Sequence, residues 1–148
     1  MISPELLRRF PYFADVSEDS LREVAMISEE KSAPVGTVLF REGDKADGLY
    51  IITEGEIDIQ YTLGTGEHRT VDTVVAGELS MWSALVAPYK STALGTVSKE
   101  TKMIVVNAEQ LRRLCDKDHA LGHKLLVSVT KLLASRLEGA RVQLATVD

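Results

Sequence analysis

Several features that would assign a function directly are missing from this sequence of 148 residues, and each absence excludes a class of protein. Cys115 is the only cysteine, so a disulfide framework is excluded and a reducing, cytoplasmic location is expected. The N-terminus lacks the apolar core of a signal peptide, and no apolar run approaches the length of a membrane span. We therefore expect no insertion into a membrane.

The sequence also lacks a block of basic residues. It contains 17 lysines and arginines against 22 aspartates and glutamates, and its net charge at neutral pH is −5. Because neutralisation of phosphates dominates nucleic-acid binding, an acidic chain without a basic block is a poor candidate for it. We therefore expect no direct binding to DNA.

Catalytic and metal-binding signatures are weak. No serine–histidine–aspartate or cysteine–histidine arrangement has a supporting local motif, so the sequence does not predict an enzyme. Cys115, His119 and His123 follow at four-residue steps, which on one continuous helix would create a metal-binding face. The segment from Asp116 to Asp118 is typical of a break between two helices, which would separate these side chains. The sequence therefore predicts neither a metal site nor a resident cofactor.

What the sequence does contain is a series of short β-rich segments separated by glycines. Ile57, Ile59 and Tyr61 alternate with polar residues, as in a half-buried strand. Glycine adopts positive φ without the penalty of a Cβ atom, so regular glycines between such segments predict a small antiparallel roll with tight corners. The glycines concerned are Gly36, Gly43, Gly48 and Gly55.

Helical patterns stand on both sides of the β-rich segments. Ser17 is a favoured N-cap for a helix that extends to about Ser28, and Asn107 and Asp118 are expected to cap two helices after the last strand. We therefore predict one domain over residues 1–148, mainly β with flanking helices. Its expected parts are an N-terminal helical part over 1–30, a β-roll over 31–106 and C-terminal helices over 107–148.

Gly64-Thr65-Gly66 predicts a hairpin turn, and a further motif, Ala76-Gly77-Glu78-Leu79-Ser80, follows it. Together with the glycine spacing, it makes the chain resemble the cyclic-nucleotide-binding domain family, which includes the catabolite activator protein and protein kinase A regulatory subunits. The resemblance covers nearly the whole chain. It implies an antiparallel β-roll of the double-stranded β-helix, jelly-roll-like type, with an N-terminal helix and a long C-terminal helix.

The resemblance also implies a phosphate cradle, in which this motif opens a short helix. Gly77 would let the backbone approach an anion, and the first N–H groups of the helix would point at it. Glu78 stands at the position that, in the family, accepts hydrogen bonds from the ribose 2′-hydroxyl. As an alternative, Gly77 is only a corner, and Glu78 is only an acidic residue that the helix dipole stabilises.

The second part of the implied cradle departs from the family pattern. Between Pro88 and Ala93, where the family has an arginine that contacts the phosphate, this chain has none. Alignment on Ala93 places Ser91 at that position, whereas alignment on Ser91 places Lys90 there. A lysine cannot make the bidentate contact of an arginine. Ser91 and Thr92 are still able to donate hydroxyl hydrogen bonds to a ligand.

The long C-terminal helix has two expected roles. The resemblance implies that this helix covers the base of a bound nucleotide, with the lid positions near Ala140 and Arg141. Arg141 would then contact the ligand. Alternatively, Arg141 interacts only with the solvent and the helix dipole. Its apolar residues recur over about seven turns, a stripe longer than one roll covers, which favours a homodimer over a helix that packs only on its own domain. The stripe consists of Leu121, Leu125, Leu126, Val129, Leu132, Leu133, Leu137, Ala140 and Leu144.

Two classes of function remain open. In the first, the domain senses a cyclic nucleotide (cAMP or cGMP) or another small anion and signals through a partner protein. In the second, it is a degenerate fold without the phosphate-binding arginine and serves as an interaction or dimerisation module. A DNA regulator is less favoured, because nothing in the sequence supplies a helix-turn-helix domain. The candidate ligand-binding residues are Gly77, Glu78, Leu79, Ser80, Lys90, Ser91, Thr92 and Arg141.

Overall fold

The computed structural model describes residues 1–147, which form α-helices around one antiparallel sheet. Helices α1 (Pro4–Arg8) and α2 (Glu18–Met26) precede the sheet, and helices α3 (Ala108–Lys117) and α4 (His119–Ala145) follow it. A short 3-10 helix, Trp82–Leu85, lies between the last two strands. The strands are β1 (Ser28–Ala33), β2 (Val38–Phe40), β3 (Gly48–Thr62), β4 (His68–Val75), β5 (Leu79–Ser80) and β6 (Leu94–Asn107).

The two long strands β3 and β6 form the centre of the roll. They pair antiparallel from Gly48 opposite Asn107 to Gln60 opposite Leu94, and register shifts between Ile52 and Ile57 interrupt the ladder. Strand β6 also pairs with β1 and β2, while β3 also pairs with β4 and β5. Such irregularities increase the local twist and bend, so the long strands wrap around an interior instead of forming a flat sheet.

Gly55 is a corner that no other residue would fit. Its φ is +97°, in the left-handed region that favours glycine. A Cβ atom built on it would lie 2.3 Å from the carbonyl oxygen of Glu100 in β6. The close approach of the two backbones therefore depends on the absence of a side chain. The sequence predicts a corner between two separate segments here, whereas the structure has an irregular bend inside one continuous strand, β3.

The apolar interior has two parts. The larger one packs α1, α2, α3 and the first half of α4 against the roll, with Phe13, Leu49 and Leu111 fully buried within it. The smaller one fills the other end of the roll, around Ile57 and Val97. Burial of a large apolar side chain contributes about 1.5–3 kcal/mol, so the helices are held to the roll mainly by the larger cluster.

The predicted helix caps are present. The hydroxyl of Ser17 accepts a hydrogen bond from the backbone N–H of Ser20, and the Asn107 side chain accepts one from the N–H three residues later. The carboxylate of Asp118 accepts one from the Leu121 N–H at 3.1 Å and another from the Ser20 hydroxyl. The hydrogen bond from Ser20, followed by that from Leu121, lowers the pKa of Asp118.

The predicted fold class, an antiparallel β-roll with helices at both ends, is confirmed. Two local features differ from expectation. Strand β1 begins at Ser28, inside the segment assigned to the N-terminal helical part, and its polar residues carry no β signal of their own. The patterns over residues 92–97 and 103–106 predict two separate strands, whereas the structure has one continuous strand over most of this region, β6. Both features arise from pairing with distant strands, which overrides local preference.

Helix α4 is 27 residues long, and its two halves have different surroundings. Leu121, Leu125 and Val129 are buried in the larger core. Within residues 134–147, every residue is exposed except Arg136, which is half-buried. Neither α4 nor any other helix in the described part of the chain is long and apolar enough to cross a bilayer.

Candidate functional site

The Gly77–Ser80 motif forms a corner between β4 and β5. Gly77 has a φ of +89°, which glycine adopts without strain. Its N–H donates to the carbonyl of Ile52 at 2.7 Å, and the N–H of Glu78 donates to the carbonyl of Val75 at 3.0 Å. Both N–H groups are therefore occupied by backbone hydrogen bonds.

After this corner the chain continues as a strand. Leu79 and Ser80 are buried and pair with β3 opposite Ile51 and Tyr50. The expectation that the motif opens a helix is corrected here, since the 3-10 helix begins only after β5. Pairing with β3 uses the backbone groups that a helix N-terminus would have presented to an anion.

The side chain of Glu78 has partners in two different elements. Its Oε1 accepts a hydrogen bond from the N–H of Val75 at 3.0 Å. The same oxygen lies 3.1 Å from Nη2 of Arg136 in α4. The carboxylate therefore joins its own corner to the C-terminal helix.

Arg136 is a candidate site residue that sequence reasoning missed. Its Nη1 donates to Oδ2 of Asp72 in β4, and its side chain is only 19% exposed. Nη2 is buried and, among the described residues, makes no hydrogen bond of adequate geometry. The 3.1 Å contact of Nη2 with Glu78 is therefore an ion pair without a well-aligned hydrogen bond.

The spacing of α4 contained a signal for Arg136. Leu125, Val129 and Leu132 lie on the face that packs against the core, and Arg136 follows four residues after Leu132 on the same face. A charged residue that continues a buried row requires a partner of opposite charge. The sequence does not identify the partner, because Asp72 is 64 residues away.

A small cavity of about 80 Å³ adjoins these ion pairs. Asp72 and Arg136 are the only charged groups among the described residues that line it. Pockets for small organic ligands usually measure about 300–1,000 Å³, so this cavity is too small for a nucleotide in the present conformation. Its lining hydroxyl groups belong to Ser80, Ser83, Ser91 and Thr92.

Of the two positions considered for the missing arginine, Ser91 borders the cavity and Lys90 does not. Ser91 is buried, and its hydroxyl donates to the carbonyl of Ala93 at 2.7 Å. Lys90 is exposed, and its backbone forms an isolated bridge with Lys45. Among the described residues that line the cavity, none is a cation at the position where the family has its phosphate-binding arginine.

The structure brings together part of the predicted site. Arg141 and the neighbouring Ala140 are exposed and do not line the cavity. Arg136, about one turn earlier, lines the cavity instead. Leu79, Ser80, Ser91 and Thr92 surround the cavity, Gly77 and Glu78 lie in the adjoining corner, and Lys90 and Arg141 lie apart.

The N-terminal helical part also reaches this corner. The hydroxyl of Tyr12 donates to the carbonyl of Gly77 at 3.2 Å, and the residue is almost completely buried. Burial raises the pKa of Tyr12, and the negative charge of Glu78 raises it further. Tyr12 therefore remains a neutral donor that fixes the corner.

The loop before β6 is held from the outside by α3. Nη1 of Arg112 donates to the carbonyl of Ala84 at 2.7 Å, and its guanidinium lies 4.0 Å from the ring centroid of Tyr89. Trp82, the first residue of the 3-10 helix, packs against the larger core and also lines the cavity.

The histidines and the cysteine considered for a metal lie on two helices. Cys115 is in α3, whereas His119 and His123 are in α4, after the helix break at Asp118. Within residues 1–147 no three side chains of the metal-binding types are grouped together. Burial raises the pKa of Cys115 to about 11, so its thiol stays protonated at neutral pH.

Comparison with solved structures identifies a similar protein over its full length. A candidate cyclic nucleotide-binding protein from Geobacter metallireducens GS-15 is 36% identical, with a TM-score of 0.84. The similarity covers 93% of this chain and 99% of that one. It extends over the roll and the flanking helices, so the two chains share the same architecture.

The curated relatives are more distant and longer. The cyclic AMP receptor protein of Thermus thermophilus is 23% identical over 90% of this chain, which spans 60% of that protein. A candidate potassium channel protein of Rhodopseudomonas palustris is 22% identical over 84% of this chain, which spans 30% of it. The model of the cyclic nucleotide-binding domain matches residues 30–118. With the roll, the corner glutamate and this match in place, the chain belongs to the cyclic nucleotide-binding domain family.

Proposed function

We propose that this chain is a cytoplasmic regulatory domain that binds a small anionic ligand and passes the signal to a partner protein. Family membership supports a cyclic nucleotide as the class of ligand. The relative named a cyclic AMP receptor protein makes cyclic AMP the first ligand to test, with cyclic GMP beside it.

The observation that carries this proposal is the ion pair between Glu78 and Arg136. Glu78 stands at the family position for the ribose hydroxyl, and Arg136 belongs to α4. A ligand that bonds to Glu78 changes the surroundings of a residue in the helix. Binding is thereby linked to the position of α4, because a ligand shifts a conformational equilibrium through its different contacts in the two states.

The size of the cavity requires that this helix move when a nucleotide binds. Arg136 is part of the lining of this cavity of about 80 Å³. The part of α4 around and beyond Arg136 has few other contacts with the roll, since its residues are exposed. Movement of that segment would enlarge the cavity without disturbing the packed half of the helix.

Substitution of Glu78 tests the ligand role. We expect Glu78→Gln to weaken cyclic-nucleotide binding about 10- to 100-fold, the value of a hydrogen bond to a charged group. Calorimetry with cyclic AMP and cyclic GMP measures this, and 2′-deoxy cyclic AMP should bind the variant and the wild type about equally. Glu54→Gln is the control, because Glu54 pairs with Lys102 away from the cavity. The proposal would be contradicted if the wild type bound cyclic AMP and 2′-deoxy cyclic AMP with equal affinity, or bound no cyclic nucleotide at millimolar concentration.

Restoring an arginine tests the missing phosphate contact. Because Ser91 borders the cavity and Lys90 does not, we expect Ser91→Arg to strengthen binding of cyclic AMP and Lys90→Arg to leave it unchanged. Thermal unfolding must accompany the calorimetry, since Ser91→Arg removes the hydrogen bond to Ala93. If neither variant binds at millimolar ligand, the closed cavity belongs to an interaction module.

That second function, an interaction or dimerisation module, is favoured by an exposed apolar row on α4. Leu126, Leu137 and Leu144 are 49%, 54% and 75% exposed. With the half-buried Leu133 they are spaced at seven- and four-residue steps, as in the seam of a two-helix pair. We propose that α4 joins two copies of the chain through this row, whether or not a nucleotide binds.

A further inference from the structure

We propose that Asp72 is an internal competitor for the ligand: it holds Arg136, and with it the second half of α4, in the closed position. The site then opens only to a ligand whose anionic group replaces the Asp72 carboxylate as the partner of Arg136. This inference rests on the proposed ligand-binding function and adds to it the residues that control access.

The first support is the position of Arg136 on its helix. Within residues 134–147 it is the one residue that is not exposed. The end of α4 is therefore attached to the roll through a single ion-paired side chain. Because no other side chain in this segment is buried, we infer that the state of Arg136 decides whether the segment stays docked.

The second support is the way in which strand β4 positions the side chain of Asp72. It lies in β4 opposite Ile59, where the pairing with β3 shifts register before Gln60. Such an irregularity re-aims neighbouring side chains. Oδ1 of Asp72 accepts a hydrogen bond from the N–H of Thr73 at 2.8 Å, while Oδ2 accepts from Arg136. The carboxylate is therefore fixed by its own strand in the orientation that receives Arg136.

The third support is the charge balance. Asp72 and Glu78 both face Arg136, so two carboxylates meet one guanidinium. An additional anion is repelled by this excess of negative charge unless it displaces a carboxylate. Nη2 of Arg136 is buried and makes no hydrogen bond of adequate geometry within the described structure, so a donor is already available to the incoming group.

Asp72 is the carboxylate to be displaced. Glu78 is also bonded to the N–H of Val75 in its own corner and, by the proposed function, has a ribose hydroxyl to receive. Asp72 lines the cavity itself, where an anionic group would lie. A charge-assisted contact between that group and Arg136 replaces the one that Asp72 gives up.

Hydrogen exchange of ligand-free protein tests the closed state. We expect Asp72→Asn to accelerate exchange of the amides in residues 134–145 about three- to tenfold, because the segment undocks more often. Glu56→Gln is the matched control, since Glu56 forms a comparable ion pair with Lys99 on the sheet, 3.1 Å long and away from α4. If these amides exchange at the same rate in Asp72→Asn, the wild type and Glu56→Gln, the proposal is overturned, whatever the binding experiments show.

Calorimetry with cyclic AMP and with orthophosphate tests the competition. We expect Asp72→Asn to bind about tenfold more tightly than the wild type, and Arg136→Gln to bind at least tenfold more weakly. A merely structural role would weaken binding in both variants, and that result overturns the proposal. If Asp72→Asn lacks a native near-ultraviolet spectrum, Asp72→Ser replaces it in both experiments.

The two readouts separate this inference from the proposed function. Faster exchange together with tighter binding in Asp72→Asn supports both. Faster exchange without binding of cyclic AMP, cyclic GMP or orthophosphate to any variant overturns the ligand-binding function, and with it the displacement of Asp72 by a ligand. If the wild type binds the ligand and Asp72→Asn binds it with the same affinity, the ligand-binding function is retained and the competition by Asp72 is overturned.

Discussion

The two halves of α4 are parts of one continuous helix, yet they are held by different kinds of interaction. Leu121, Leu125 and Val129 in the first half are buried in the main core, and each such side chain contributes about 1.5–3 kcal/mol. The second half is attached through Arg136, and an ion pair that solvent still reaches contributes about 0–1 kcal/mol. The first half is therefore a fixed part of the fold, whereas the second half is the part on which the proposed ligand or a second copy would act.

The largest expected effect on stability comes from a substitution in the packed first half of α4. Leu125 is fully buried, so Leu125→Ala should reduce the free energy of unfolding by about 2–5 kcal/mol, the cost of lost burial and a cavity. Val142→Ala is the control on the exposed half, at a position that is 54% exposed and outside the proposed dimer row, and it should change this free energy by less than about 0.5 kcal/mol. Urea unfolding followed by circular dichroism measures both. Equal losses in the two variants would show that the second half is packed after all.

The next effect concerns the exposed row. If α4 pairs with a second copy through Leu133, Leu137 and Leu144, Leu137→Glu places an unpaired charge in the interface, at a cost of several kcal/mol. Sedimentation should then show a dimer for the wild type and a folded monomer for the variant. Glu138→Gln, a neighbouring change at an exposed polar position, should leave the dimer intact. A wild type that is monomeric at high concentration removes the basis for the dimer.

A smaller effect is expected at the start of the helix, on which both halves depend. Asp118→Ala removes the N-cap of α4 and should reduce stability at neutral pH by about 0.5–2 kcal/mol. Urea unfolding checks this value. Val142→Ala again serves as the reference for a change that leaves the cap intact.

The same residue gives a pH dependence. The hydrogen bond from Ser20 lowers the pKa of Asp118 in the folded protein below its ordinary value of 3.8. The contribution of the Asp118 carboxylate to the free energy of unfolding is therefore complete above about pH 4. It is lost as the pH falls through the lowered pKa, because the unfolded state binds the proton at a higher pH than the folded state does. Urea unfolding from pH 7 to pH 2.5 should show a decline in the wild type that is reduced in Asp118→Ala. Parallel curves for the two proteins would argue against this role.

Much of the fold could be predicted from the sequence, because the signals concerned act over a few residues. Ser17, Asn107 and Asp118 cap their helices as predicted, since a cap is bonded to an N–H group only three residues away. Gly55 marks a corner because its backbone conformation is intrinsically available to glycine. Strand β1 was missed because its residues become a strand only through pairing with β6.

The candidate site was predictable only in part. The sequence located the corner at Gly77 and Glu78 and the gap in the family pattern between Pro88 and Ala93, and these inferences depended on the resemblance. It did not decide between Ser91 and Lys90, since which of them borders the cavity depends on how the loop before β6 is held.

The sequence by itself determined the alternation of strands and corners, the helix caps and the family, because these follow from local conformation and spacing. Only the tertiary structure decided which row of α4 faces the core and which carboxylates Arg136 meets. Arg136 and Asp72 are 64 residues apart in the chain, and their contact exists because the roll and α4 pack together. A charge pair of this kind has no local signature, so its partners are known only once the distant elements have been placed against each other.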